Sequence, residues 1–323
     1  NFEDERLAPL KGDELTLLWE TYLELYSPNI SRKVYIFADE IHNISNWSKW
    51  ARRICEQHKN LKLIITGSSS KLLSREIATE LRGRTLSFAV YPFSFSEYLS
   101  AQNIRIDPKE FKSLFYGGKR ILIKKQFNAY LKYGGFPAAF TGSNSKDLLK
   151  EYYAVMFYRD LIERYKIKNI KLFEDYLTLV IDQISSLFSV SSTAKKLEQF
   201  GHSFSKNTLS NFSRYAQEIF LIFEVKKYSY KLREQIRSPK KIYVIDHGLV
   251  KAIRFSFSQD ICRFLENIAF LALQRKGFNI YYHRENKECD FIVADKHKII
   301  QAIQVSRSLA DPKTKKREID GLM

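Results

Sequence analysis

Residues 34–42, VYIFADEIH, restrict the fold of this chain more than any other stretch. Val34, Tyr35, Ile36, Phe37 and Ala38 form a continuous apolar run without alternation, the pattern of a parallel strand covered on both faces. Two carboxylates, Asp39 and Glu40, follow directly. Ligands in open α/β sheets collect outside the carboxyl ends of the strands. Adjacent acids at that end therefore point to a site as well as to a fold. A helix with an acidic N-cap accounts for the same residues without any ligand.

The next residues repeat the arrangement. Residues 44–56 are helical in pattern, with Trp47, Trp50, Ala51 and Ile54 on one face. Residues 61–65 are a second apolar strand, which ends in Thr66-Gly67-Ser68-Ser69-Ser70. An apolar strand ending in Asp-Glu is how P-loop ATPases build a Walker B site. There the first acid holds Mg²⁺ through a water and the second polarises the attacking water. A polar side chain beside that pair acts as a sensor of the γ-phosphate, and Thr66 and Ser68 are the candidates. A Gly/Ser turn is the plainer alternative. Residues 73–99 then place Arg82 and Arg84 in a loop after a helix, ahead of a third strand at 85–91. Arginine suits phosphate charge because it stays protonated and bonds bidentately. Solvent exposure explains loop arginines equally well.

The stretches NFEDERL, DEIH, ITGSSS, LRGR and YPFSFSEYL resemble the archaeal and bacterial AAA+-related P-loop ATPases. Those proteins are fused to a winged helix and to a C-terminal domain similar to the PD-(D/E)XK nucleases. The resemblance spans nearly the whole chain. It implies an α/β fold: a P-loop NTPase (AAA+-like) parallel sheet, then a helical and winged-helix domain, then a PD-(D/E)XK-like α/β domain. It also implies ATP and Mg²⁺ as cofactors, Asp39 as the Mg²⁺-side acid, Glu40 as the water-activating base and Thr66 or Ser68 as the sensor. YGGFP at 133–137 is similar to a Gly-x-Pro element near the nucleotide in related ATPases, which brings in Gly135 and Pro137. Turn chemistry accounts for the same residues. No G-x-x-x-x-G-K-[ST] occurs in the 323 residues, and Gly117-Gly118-Lys119 lacks both the first glycine and the Ser/Thr. The expectation is that the P-loop and its strand lie upstream of Asn1 in a longer polypeptide, and that the present residues alone bind ATP poorly.

Length predicts two or three domains at roughly 100–200 residues each. The expected divisions are an ATPase core at 1–100, a helical lid-like region at 101–165, a winged helix-turn-helix at 166–250 and a degenerate nuclease-like domain at 251–323. A hydrophobic fraction of 45% supplies sizeable cores. No signal peptide is apparent, and no apolar run approaches the roughly 20 residues of a membrane span. Cys55, Cys262 and Cys289 are odd in number and unevenly spaced. They point to a reduced, cytoplasmic setting, with neither a disulfide framework nor a zinc site. Residues 1–99 hold 13 Lys/Arg and 13 Asp/Glu, so the net charge of +17 falls wholly on the rest of the chain. A polyanionic partner, above all DNA, follows from that asymmetry. A lysine-rich surface that serves solubility is the alternative.

Helical patterns at 147–165, 171–185, 192–200 and 205–220 precede two strands, 221–230 and 241–246, around a basic loop. The last three helices and the two strands make a winged helix-turn-helix. Its third helix would present Lys206, Asn207, Ser210, Asn211, Arg214 and Gln217 to the major groove. Its wing would present Lys226, Lys227, Lys231, Arg233, Arg237, Lys240 and Lys241 to phosphates. Such modules also serve as plain packing units. Residues 260–276 form a helix with Glu266, 279–284 and 288–293 a hairpin, and 299–305 a further strand. The nuclease resemblance implies that Glu266, Asp290 and an ExK pair surround a divalent metal. The ExK position reads Gln304-Val305-Ser306 and lacks both charges, which argues against cleavage.

The leading reading is an ATPase that couples its nucleotide state to a basic winged helix and a nuclease-like domain. Its partner is DNA or a regulated protein, with no membrane segment. A homo-oligomer that donates an arginine from a neighbouring copy stays open. The alternatives are a metal-dependent nuclease regulated by the ATPase and a non-catalytic module that binds nucleic acid or protein.

Overall fold

The computed structural model describes residues 1–7, 10–26, 32–68, 81, 83, 85–106, 118–141, 144–254, 261–295 and 298–322. It divides into two compact units, Asn1–Ala89 and Val90–Met323.

The first unit contains α1 (Glu14–Tyr26), β1 (Val34–Ala38), α2 (Trp47–Gln57) and β2 (Leu61–Ile65). The strands pair in parallel, from Val34↔Leu61 to Ala38↔Ile65, as a strand–helix–strand crossover requires. The four residues expected on the inner face of α2 are buried, and they pack with Leu15, Ala38, Ile41 and Leu61. Two expectations fail. Strand β1 is covered on one face among the described residues: Tyr35 is 55% exposed and Phe37 72%. An unbroken apolar run therefore does not ensure cover on both faces. Residues 85–91, expected as a third strand, form none. Leu86, Phe88 and Val90 stand exposed, and no described strand offers them a ladder. Arg82, Arg84 and the helix expected before them lie outside the described residues.

In the second unit, α3 (Phe95–Ala101) starts at a capping box in which Ser94 and Glu97 satisfy each other's backbone N–H. Its Tyr98 and Leu99 pack on Tyr130 of α4 (Gly118–Tyr133). That packing places residues 90–100 in this unit rather than with the strands before them. Next come α5 (Pro137–Thr141) and α6 (Ser145–Val155), which continues as a π-helix over Met156–Glu163. Asn169 caps α7 (Ile170–Asp182) through Leu172 N at 3.0 Å. Strand β3 (Leu187–Phe188), α8 (Val190–Gln199) and α9 (Lys206–Glu218) follow. Gly201 takes the left-handed conformation after α8, with φ +84, and Ser205 caps α9 through Thr208 N at 3.1 Å.

Strands β4 (Ile222–Lys227) and β5 (Lys240–Val244) are antiparallel. The basic loop expected between them contains a helix, α10 (Leu232–Arg237). After α11 (His247–Ile253) and α12 (Ile261–Arg275) come β6 (Ile280–Arg284), β7 (Glu288–Asp295), β8 (Lys298–Ile303) and α13 (Pro312–Asp320). The sheet runs β3-β5-β4-β6-β7-β8. Its junction is the parallel pairing of Lys226 with Tyr281 and Lys227 with Tyr282. A single sheet therefore crosses the division expected at residue 250. Among the described residues, no helix is long and apolar enough to cross a membrane.

Candidate functional site

Asp39 and Glu40 leave the carboxyl end of β1, and Thr66 and Ser68 leave that of β2. Parallel pairing puts the two ends side by side, since Thr66 N donates to Ala38 O at 3.0 Å and Ile41 N to Thr66 O at 3.2 Å. The Thr66 hydroxyl donates to Asp39 Oδ1 and accepts from Glu40 N at 3.2 Å. Ser68 N donates to Glu40 Oε2 at 3.3 Å. The same oxygen meets His42 Nδ1 at 3.1 Å. Four of the residues singled out from sequence thus form one cluster, joined by a fifth, His42. Its signal was local: a 3-10 turn at Ile41–Asn43 brings position 42 back over Glu40.

Glu40 has a left-handed backbone, φ 54 and ψ 41. A residue with a Cβ holds that geometry at a cost of about 1–3 kcal/mol, and here the Thr66 bond secures it. The Asp39 residue is exposed, and the Glu40 side chain is 18% exposed. The donors are hard oxygens, as Mg²⁺ requires. Among the described residues, no group of three or more His, Cys, Asp or Glu side chains is disposed to hold a metal alone. Mg²⁺ is usually held by one or two carboxylates together with substrate phosphates and waters.

Gly135 and Pro137 lie in the second unit, and packing explains the glycines. Gly135 N donates to Asp246 Oδ2 at 2.6 Å, while Gly135 O accepts from Phe93 N at 2.7 Å. A Cβ on Gly135 would come within 2.2 Å of Phe93 O. Asp246 also caps α11 through Leu249 N at 2.9 Å.

Asn207, Ser210, Asn211 and Arg214 lie exposed along α9, and Gln217 turns back to Ser213. The side chain of Lys206 lies outside the described residues. Several wing bases are occupied elsewhere. Lys227 bonds Glu234 at 2.5 Å, and Lys240 donates to the carbonyls of Gln235, Ile236 and Ser238. Lys226, Lys231, Arg233 and Arg237 are exposed.

Lys241 overturns its sequence reading as a phosphate-facing wing residue, since it is 1% exposed. Its Nζ lies 3.0 Å from Glu266 Oε1, 3.0 Å from Asp290 Oδ1 and 2.7 Å from Glu288 Oε1. The two carboxylates that the resemblance assigns to a metal are thus brought together around an ammonium. Tyr243 OH donates to Glu266 Oε1 at 2.7 Å, and Val305 N donates to Asp290 Oδ2 at 2.9 Å. Burial, with Asp290 alongside, pushes the Glu266 carboxyl up to about 7 against the pull of Lys241. Burial disfavours charge on Lys241, but the three acids outweigh it and hold the amine protonated beyond its usual range. Gln304 bridges Asp290 N at 3.0 Å and Glu318 Oε2 at 2.6 Å.

A family model described as an AAA domain matches residues 1–99. A second, a domain of unknown function (DUF8612), matches residues 124–260. The chain is 37% identical over 327 residues to the uncharacterized protein MJ1544 of Methanocaldococcus jannaschii, covering 99% of this chain and 70% of that protein. It is 26% identical over 276 residues to an uncharacterized protein of Haemophilus influenzae, covering 84% and 66%. It is 23% identical over 324 residues to MJ1637 of Methanocaldococcus jannaschii, covering 90% and 67%. The chain therefore spans about two thirds of the length of these relatives.

Proposed function

The chain belongs to the same family as Methanocaldococcus jannaschii MJ1544, and we propose that its AAA domain contributes the acidic half of an ATP-hydrolysing site. The observation that carries this reading is the Thr66 hydroxyl, which links the Asp39 carboxylate to the Glu40 backbone at adjoining strand ends. Asp39 would hold Mg²⁺ through a water, and the bound ion would neutralise charge on the phosphates. Glu40 accepts a proton from the attacking water and orients it, while Ser68 N and His42 aim its carboxylate. Thr66, or Ser68, feels the change at the γ-phosphate through its contact with the acids. Arg82 or Arg84 compensates phosphate charge.

In the same reading, hydrolysis drives a winged helix formed by α7, α8, α9, β4 and β5, and a nuclease-like fold formed by α12 and β6–β8. The order of three helices and an antiparallel pair supports the first assignment. The exposed Asn207, Asn211 and Arg214, with Lys226, Arg233 and Arg237 beside the strands, suit DNA. Base edges and phosphates take those side chains.

The decisive variant is Glu40→Gln in the full-length protein. Turnover of ATP falls by about 10²–10⁴-fold, as loss of a general base does, while nucleotide binding persists. Turnover at the native rate would remove Glu40 from the chemistry.

A further inference from the structure

The oxygens around Lys241 come from three residues on two elements: Glu266 on α12, and Glu288 and Asp290 on β7. Oxygens converging from separate walls on one point are what a hard divalent cation requires. An ammonium carries three donor protons, and at Lys241 each has its own acid. The amine is therefore saturated. Its 1% exposure leaves it no route to a passing anion, unlike the exposed bases of the same run. Arg284 also lies 3.6 Å from Glu288 Oε2, so a second base flanks the outer acid while Lys241 meets all three. Strand β8 carries no acid, and Gln304, just past its end, ties Asp290 N to Glu318.

We propose that Lys241 is the resident cation of this centre. Its ammonium takes the place a divalent metal would have, keeps the native centre metal-free, and leaves a Mg²⁺ or Mn²⁺ site of Glu266, Glu288 and Asp290 when it is removed. The lone pairs that would ligate an incoming ion are already bound to Nζ, and that ion would also face the ammonium at close range. A centre held in this way activates no water. It fastens α12 and β7 to β5, and so binds the helix-rich half of the sheet to its last three strands. The inference is independent of the ATPase reading, because none of these residues belongs to the first unit.

The test titrates the whole chain with Mn²⁺ and counts bound ions by electron paramagnetic resonance, with Asp290→Asn as the control that removes a ligand. The native chain shows no uptake that depends on Asp290. Lys241→Ala gains one Mn²⁺ per chain, at least about tenfold tighter than any native uptake, and Lys241→Ala/Asp290→Asn loses it. The melting temperature of Lys241→Ala rises with Mn²⁺, and that of the native chain does not change through this centre. If the alanine variant is unfolded in chelator, recovery of its far-ultraviolet dichroism on adding Mn²⁺ is the same positive result. Lys241→Ser, with similar room, repeats the measurement. The proposal is overturned if the native chain binds one Mn²⁺ that Asp290→Asn abolishes. It is equally overturned if both Lys241 variants take up no Asp290-dependent Mn²⁺, folded or not.

Discussion

Two acidic clusters in this chain have opposite surroundings. Asp39 and Glu40 stand at the rim of a two-stranded parallel sheet, held by a hydroxyl, a backbone N–H and a histidine. Glu266, Glu288 and Asp290 converge on a buried lysine. The first pair is oriented yet remains open to an incoming ligand. The second group is satisfied inside the protein, and its charge serves cohesion. Carboxylates gathered in space therefore do not by themselves mark a reactive centre. What decides is whether the positive charge they meet is built in or arrives with a substrate.

The contrast can be broken most forcefully at Lys241. Lys241→Met strips three acids, Asp290 among them buried, of their partner and should cost about 3–5 kcal/mol of unfolding free energy, read from urea denaturation. A melt close to native would mean that the lysine is no anchor. At the rim, Thr66→Val should lower ATP turnover in the full-length protein by about tenfold to a hundredfold, through misplacement of the acids. Its urea midpoint should stay near native, and a large drop in stability would make Thr66 a structural residue instead.

Acidity separates the clusters further. The Glu266 carboxyl lies above its ordinary 4.5, at about 7, so the folded chain holds that proton more firmly than the unfolded one. The resulting stability is fully present below pH 4.5 and is lost as pH rises towards 7. Subtracting the profile of Glu266→Gln from that of the native chain should isolate a decline across that window. A flat difference would place the carboxyl back in its usual range. The smallest effects come from paired amides. Asp290→Asn should cost about 1–3 kcal/mol, because it disturbs a buried hydrogen-bonded group. Asp39→Asn should change stability by about 0.5 kcal/mol or less, as exposed positions do. Equal costs would erase the distinction.

The first unit was readable because its signals are local. The strand–helix–strand alternation is visible in apolar periodicity, and Thr66 and Ser68 follow their strand just as Asp39 and Glu40 follow theirs. Cover on the second face of β1 and the strand at 85–91 were not readable, since both depend on partners distant in sequence. Lys241 shows the same limit most clearly. Sequence places it at the end of a run of bases, where a solvated wing is the natural reading. Its three partners lie 25 to 49 positions later, and a buried charge leaves no mark on its neighbours. The continuous sheet was hidden for a related reason, because only two residue pairs join β4 to β6.

The Lys241 hub also constrains how the chain is made. A ribosome delivers position 241 well before 266 and 290, so the nascent amine has no acids to meet. Burying it alone would carry a steep desolvation penalty, and β5 should therefore stay hydrated until the later carboxylates emerge. The acids face the same barrier without the amine. Closure of the hub then becomes a late, concerted step, of the slow kind that long-range contacts impose, and truncated products ending before residue 290 should remain open to proteases.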